Sequence, residues 1–318
     1  PLTYDWTQTA GPAVTLTGAT TAQVAGLTTA QIAQGMATDQ VAAIRTTDLA
    51  AFNTAQIAAF TTDQINVLTT GQAASLSTMG LAALSTQQII AVPPEDVAAL
   101  TTKQILAVTT QQIGALTSDQ VTAMTTRQIS TLTILQAPAL STTNISVLDD
   151  AQLASISTPA IASLSTDQIT AISPDHVPAL MTRQLVALRM DQMSAMTTDQ
   201  IVALATEQVI ALPNSLVSAL TTSQISAMET VDLAALKTAQ VTALTTDQVS
   251  ALTTDQVAKM MTAQIATLSA SQAVALTTDQ IGALTTAEAA ALSTAALPSL
   301  LTAQIVALGT ENLAALST

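Results

Sequence analysis

Large apolar side chains return along the chain at alternating intervals of five and three residues, so the hydrophobic pattern repeats every eight. Two adjacent copies, Leu244-Thr245-Thr246-Asp247-Gln248-Val249-Ser250-Ala251 and Leu252-Thr253-Thr254-Asp255-Gln256-Val257-Ala258-Lys259, set the register L-T-T-x-Q-[IV]-x-A. Over residues 36–315 that register runs through 35 octads with no insertion or deletion. Two further copies, 19–26 and 27–34, precede it and are set apart by one extra residue, Gly35. A pattern that accepts substitution but not displacement is a geometric constraint, the mark of a repeat architecture. Gly35 leads us to expect that a shift is admitted only near the end of the array, through the backbone freedom of glycine.

The octad separates an inside from an outside. Position 1 is apolar in all 35 copies, mostly Leu, and position 6 is apolar in all 35, mostly Ile or Val. These two positions form the expected core. Position 8 is Ala in 26 copies, which suggests a close approach of neighbouring backbones. Positions 2, 4 and 7 vary freely and carry nearly all the Lys and Arg, so they face solvent.

Gaps of five and three break the strict alternation that a strand requires, and the Ala, Leu, Gln and Met content favours helix. Thr at position 2 followed three residues later by Gln at position 5, as in Thr101 with Gln104, is the pattern of a capping box. Thirteen of the 21 acids, among them Asp63, Asp119, Asp199 and Asp279, lie at position 4, in the first turn, where a carboxylate meets the positive helix end. Pro93, Pro94, Pro159, Pro174 and Pro213 fall at positions 2 to 4, where a missing amide hydrogen costs little. Each octad therefore begins a helix. That helix is short: Pro138, Pro178 and Pro298 stand at position 7, where a longer helix would lose about 3 kcal/mol.

Helices of one and a half turns do not persist alone, because nucleation is unfavourable and lengths below about 12 residues are marginal in water. Stability must come from stacking, in which neighbouring units share one core, as in a solenoid. The expected fold is all-α: a solenoid of very short helices, one per eight-residue repeat, with a small N-terminal β segment. Three octads per turn is the preferred coil, with two nearly as acceptable. The expected division is 1–18 for the β segment and 19–318 for the helical solenoid.

Composition narrows the function classes. Seven Lys plus Arg against 21 Asp plus Glu give a formal net charge of −14, which opposes nucleic-acid binding. One His and no Cys leave little for zinc, haem or thiol chemistry. Thr, Gln or Asp interrupt every apolar run, so no membrane span is expected. The chain begins at Pro1 without a signal segment and stops partway through a repeat at Leu316-Ser317-Thr318, so we expect a processed chain or a piece of a longer one.

Residues 1–18 follow a different grammar. Thr3 to Thr9 and Ala13 to Thr17 alternate in character and flank Ala10-Gly11-Pro12, which predicts two strands around a turn. The stretch Tyr4-Asp5-Trp6-Thr7-Gln8-Thr9-Ala10-Gly11-Pro12-Ala13-Val14-Thr15-Leu16 resembles the Y-x-W-x-Q-x-x-G-P-x-V-x-L segment of PKD-like immunoglobulin-fold modules. Such modules are common in large secreted bacterial surface proteins. The resemblance covers only these residues and implies an extracellular or cell-surface setting, with a neighbouring immunoglobulin-like domain or chain as a partner through residues 1–18. A second stretch, Leu116-Thr117-Ser118-Asp119-Gln120-Val121-Thr122-Ala123, resembles the opening of a TAL-effector DNA-binding repeat, over its first helix only. The base-reading loop and the basic backbone contacts of that unit are missing, and the charge opposes it.

Individual residues add no chemistry. His176 stands at position 5, where Gln is usual, and reads as a hydrogen-bonding substitute for it. Asp149-Asp150 and the position-4 acids offer oxygens to Ca²⁺, but first-turn capping accounts for them better. Phe52 and Phe60, at position 1 of adjacent octads, are expected to fill a broad end of the core against Trp6 or Tyr4. No catalytic, cofactor-binding or metal-ligating residue is assigned, and no cofactor is expected. The leading expectation is a structural extracellular rod, a filament or sheath subunit or an adhesin stalk, that self-associates end to end. The alternative is a surface-binding protein that uses a regular array of Thr, 27 of them at position 3, toward ice or a polysaccharide.

Overall fold

The computed structural model describes residues 20–316. The two strands expected within 1–18, together with Tyr4 and Trp6, lie outside the described residues. Among the described residues there is no strand: the chain is a succession of helices, most of four to six residues, one per octad. It divides into two compact units, one running to Leu164 and the other starting at Ser165.

Each helix starts as its octad requires. Position 2 is the N-cap, extended in backbone, and its side-chain oxygen accepts from the amide N–H of position 5 in the same octad: Thr61 Oγ1 from Gln64 N at 3.2 Å, Asn53 Oδ1 from Gln56 N at 3.0 Å, Asp149 Oδ1 from Gln152 N at 2.7 Å. The Gln at position 5 reaches back so that its Oε1 accepts from the N-cap N–H, for example Thr101 N at 2.8 Å. Where position 2 is Met181, Lys237 or Leu301, the first half of the box is gone and the second remains. Pro94 and Pro174 open their helices and Pro159 is the second residue of Thr158–Ser163. The three octads with Pro at position 7 tighten into 3₁₀ turns, Ala137–Ala139, Pro174–Ala179 and Leu297–Ser299, since proline removes the donor an α-turn would need there.

In both units a helix packs on the one three octads further along. In the first, Thr70–Ser75 meets Pro94–Ala99, which meets Ser118–Ala123; in the second, Met190–Ala195 meets Asn214–Ala219, and Thr206–Ala211 meets Thr230–Ala235. Successive partners start 24 residues apart, so each unit is a solenoid-like array with three octads per turn. Positions 1 and 6 point inward: Ile57, Ile65, Ile113, Leu185, Ile225 and Ile281 are fully buried, and Leu84, Leu140, Leu204 and Leu252 nearly so. Phe52 and Phe60 are buried and stack with ring centroids 5.9 Å apart and 17° between planes. Val92 and Val108 stand where Leu is usual, and beside them the core keeps a small apolar void lined also by Leu81, Val97 and Ile113.

Glycine's role differs from the expectation. Gly35 does not adopt positive φ, and a Cβ built on it meets nothing within 4 Å. The extra residue is absorbed instead as a π-helical turn over Gln31–Gly35, the usual way a helix takes up one insertion. Among the described residues, the position that needs glycine is Gly309, at position 2 of its octad, with φ 73° and ψ 171°, a region closed to other residues. Gly309→Ala should therefore weaken its octad by about 1–3 kcal/mol. Gly35→Ala should leave stability unchanged or raise it by up to about 1 kcal/mol, through a less flexible unfolded chain. Urea unfolding of the two variants, side by side, separates these outcomes.

Candidate functional site

The most organised chemistry in the molecule is a ladder of buried glutamines. Gln at position 5 occurs in 24 of the 35 octads, and almost all are buried, Gln184, Gln192 and Gln264 completely. A buried primary amide is costly unless its donors and acceptor are satisfied. Its Oε1 is used within its own octad by the cap. Its Nε2 leaves the octad and donates to two carbonyls of the previous turn. Gln104 Nε2 donates to Ala73 O at 3.0 Å and Leu76 O at 2.9 Å; Gln112 to Leu81 O at 2.9 Å and Leu84 O at 2.7 Å. In the second unit Gln248 reaches Val217 O at 2.9 Å and Leu220 O at 2.6 Å, and Gln304 reaches Ala273 O at 3.0 Å and Leu276 O at 2.6 Å. The acceptors lie 31 and 28 residues back, in the last turn of a helix and at its C-cap; the first, such as Val217 O, also accepts from the C-cap N–H, while the second, such as Leu220 O, has no partner within its helix.

The ladder survives the extra residue at Gly35. Gln56 still donates to Ala25 O and Leu27 O, and Gln64 to Ile32 O and Met36 O, now 31, 29, 32 and 28 residues back. Asn also serves: Asn144 Nδ2 donates to Leu116 O at 3.0 Å and Asn312 Nδ2 to Leu284 O at 2.9 Å, in each case 28 residues back.

Four octads hold an acid at position 5. Asp48 is paired with Arg45 at 2.7 and 3.0 Å, and this pairing lowers its pKa. Asp232 Oδ1 accepts from Thr206 Oγ1 at 2.6 Å, and one oxygen of Glu288 accepts from the Thr285 N–H at 2.7 Å. Asp96 is different: it is 2% exposed and its Oδ2 makes no hydrogen bond. Burial, and then the charge of Glu95, raise its pKa to about 6.

A family model for the ALTTAQ repeat matches residues 41–78, 94–126, 145–182, 177–206, 225–262 and 258–286, together more than half of the chain. The chain belongs to the ALTTAQ repeat family. No curated protein matches it. The letters of the ALTTAQ repeat are positions 8 and 1 to 5 of the octad, so the name contains a core Leu, the N-cap Thr and the ladder Gln. In this ALTTAQ array positions 2, 4 and 7 share the outer face with Thr at position 3. These residues are the first of each helix and mostly exposed, as at Thr62, Thr110, Thr222, Thr246 and Thr278, while position 2 supplies the cap. Capping thus explains Thr at position 2 and not Thr at position 3.

The residues singled out from the sequence are scattered. Asp149 is an N-cap and Asp150 a first-turn residue of Asp150–Ser155. His176 is half-buried in the Pro174–Ala179 turn. No three His, Cys, Asp or Glu side chains among the described residues are gathered as a metal site, and no described helix is long and apolar enough to cross a membrane. What the sequence reading missed is the second duty of Gln. A signal for it exists: a capping box accepts Glu as readily as Gln, yet Glu fills position 5 once and Gln 24 times, which marks a need for a donor.

Proposed function

We propose that this ALTTAQ array is a structural element of the cell exterior, a stiff stalk, sheath or filament subunit without catalysis, whose copies associate end to end. The observation that carries the reading is the glutamine ladder. Within each unit a turn is tied to the previous one by amide donors in a fixed register, which resists stretching and bending of that unit. The ladder also has a sense, donors toward the earlier turn and acceptors toward the later, so a copy stacked on another would meet it head to tail, the heterologous contact that propagates into filaments. The extracellular and bacterial setting rests on the resemblance of residues 4–16 to PKD-like modules, which also supplies the neighbouring immunoglobulin-like domain as a partner. Electron microscopy of the purified chain tests the assembly: filaments that lengthen with concentration are expected. Dispersed single particles at high concentration would count decisively against it.

A second reading uses the position-3 threonines as a hydroxyl and methyl surface for ice or a polysaccharide. Their exposure, with no part in capping, favours it. Replacing Thr246, Thr254 and Thr278 with Ser keeps the hydroxyls and removes the methyls. Strong ice shaping or glycan retention in the parent that vanishes in this variant would place this reading above the first.

A further inference from the structure

Position 5 of the octad 92–99 combines three departures from the ladder. Asp96 replaces Gln; the N-cap Pro93 has no N–H for its carboxylate to accept; and no cation or hydroxyl answers it, as Arg45 answers Asp48 and Thr206 answers Asp232. Its length is nonetheless sufficient. Asn144 and Asn312, with the same side-chain reach at the same position, each donate to the carbonyl 28 residues back. For Asp96 that carbonyl is Leu68 O. A carboxylate cannot donate to it and repels it; a carboxylic acid can.

We propose that Asp96 is a proton-operated clasp between successive turns of the first unit, closed when its carboxyl O–H donates to Leu68 O and loosened when the group ionises. Of the helices packed on Pro94–Ala99, Thr70–Ser75 carries no titratable group and Ser118–Ala123 carries Asp119, which is exposed; Glu95 on the same helix and Lys103 on the next are exposed as well. No cation therefore faces the buried carboxylate from its own layer, and Glu95 adds negative charge. The folded pKa of about 6 lies above the ordinary 3.8, so the folded unit holds this proton more tightly than the unfolded chain. The stabilisation is complete below about pH 4 and is lost as pH rises through about 6. An array carrying this residue is tightest in mildly acid surroundings. The inference does not depend on where the protein resides or whether it assembles.

Asp96→Asn makes the closed state permanent. In urea unfolding at pH 7.5 the variant should exceed the parent by about a hundredfold in its folding equilibrium, and at pH 4.5 by less than about tenfold. A gain equal at both pH values, or no gain at either, overturns the clasp. Comparing each variant with its parent at the same pH cancels the background from the other acids. Should the variant fail to fold, the ¹³C shift of the Asp96 carboxyl in the unaltered chain decides: a titration midpoint near 6 is expected, and one near 4 refutes the proposal.

Discussion

Gln248→Glu should cost about 3–5 kcal/mol at pH 7 and regain most of that on acidification. The substitution keeps the acceptor that receives the Thr245 N–H at 2.8 Å, so the local cap is retained. It removes the Nε2 that donates to Val217 O and Leu220 O and sets a carboxylate against both carbonyls in a site only 2% exposed. Leaving a buried charge unpaired carries a penalty of this size, well beyond the roughly 1 kcal/mol of an ordinary hydrogen bond. Gln248→Leu, which removes the polar atoms without adding charge, should cost less, about 1–3 kcal/mol, as buried backbone groups go unmatched. Ser250→Ala, an exposed change whose hydroxyl only donates to Asp247 O, should stay within about 0.5 kcal/mol. Equilibrium urea unfolding of the three variants at pH 7 and pH 4.5 gives the ranking. Equal costs for Glu and Leu would mean that the amide is only space-filling.

The second large effect concerns register. Inserting four residues between Ala251 and Leu252 places the Gln residues of the turn that follows half an octad from their acceptors in the turn before. Gln256, Gln264 and Gln272 would each lose both partners across the insertion, since these lie at Ile225 and Met228, Leu233 and Leu236, and Val241 and Leu244. At about 1–2 kcal/mol per buried amide left unmatched, the loss is about 3–6 kcal/mol before any core mismatch. We expect the second unit's single thermal transition to split in two. Inserting eight residues, a whole octad, should leave it single, because each Gln then meets equivalent carbonyls. A one-residue insertion falls between, since the turn Gln31–Gly35 shows that a π-helical turn can absorb one residue while Gln64 keeps both its bonds. Differential scanning calorimetry of the three insertions distinguishes a register-locked array from independent helices on a string, for which all three would melt like the parent.

Much of this architecture is legible in the residues themselves because its determinants are local. The cap at Thr61, the first-turn acids and the tightened turns at Pro138, Pro178 and Pro298 depend on neighbours within four residues. The buried faces at positions 1 and 6 follow from spacing. The three-octad turn is only a preference at that level, since the same spacing also suits two octads, and it is settled by closure over 24 residues. The second duty of Gln depends on that closure and stays hidden until it is known. Gly35 invites an argument from backbone freedom that belongs instead to Gly309, because composition reports a glycine but not its φ. Asp96 looks like one more first-turn acid until Pro93 and its burial are seen together.

The direction of the glutamine amides also sets an order of events on the ribosome. The Nε2 groups of Gln104, Gln112, Gln248 and Gln304 point to chain already made, about four octads earlier, so a newly emerged octad can complete its own donors at once. The groups left waiting at the growing edge are backbone carbonyls, which water satisfies at little cost, and not buried amide hydrogens. Contacts of such short sequence separation form quickly. The array can therefore fold at the pace of its synthesis, however many octads follow.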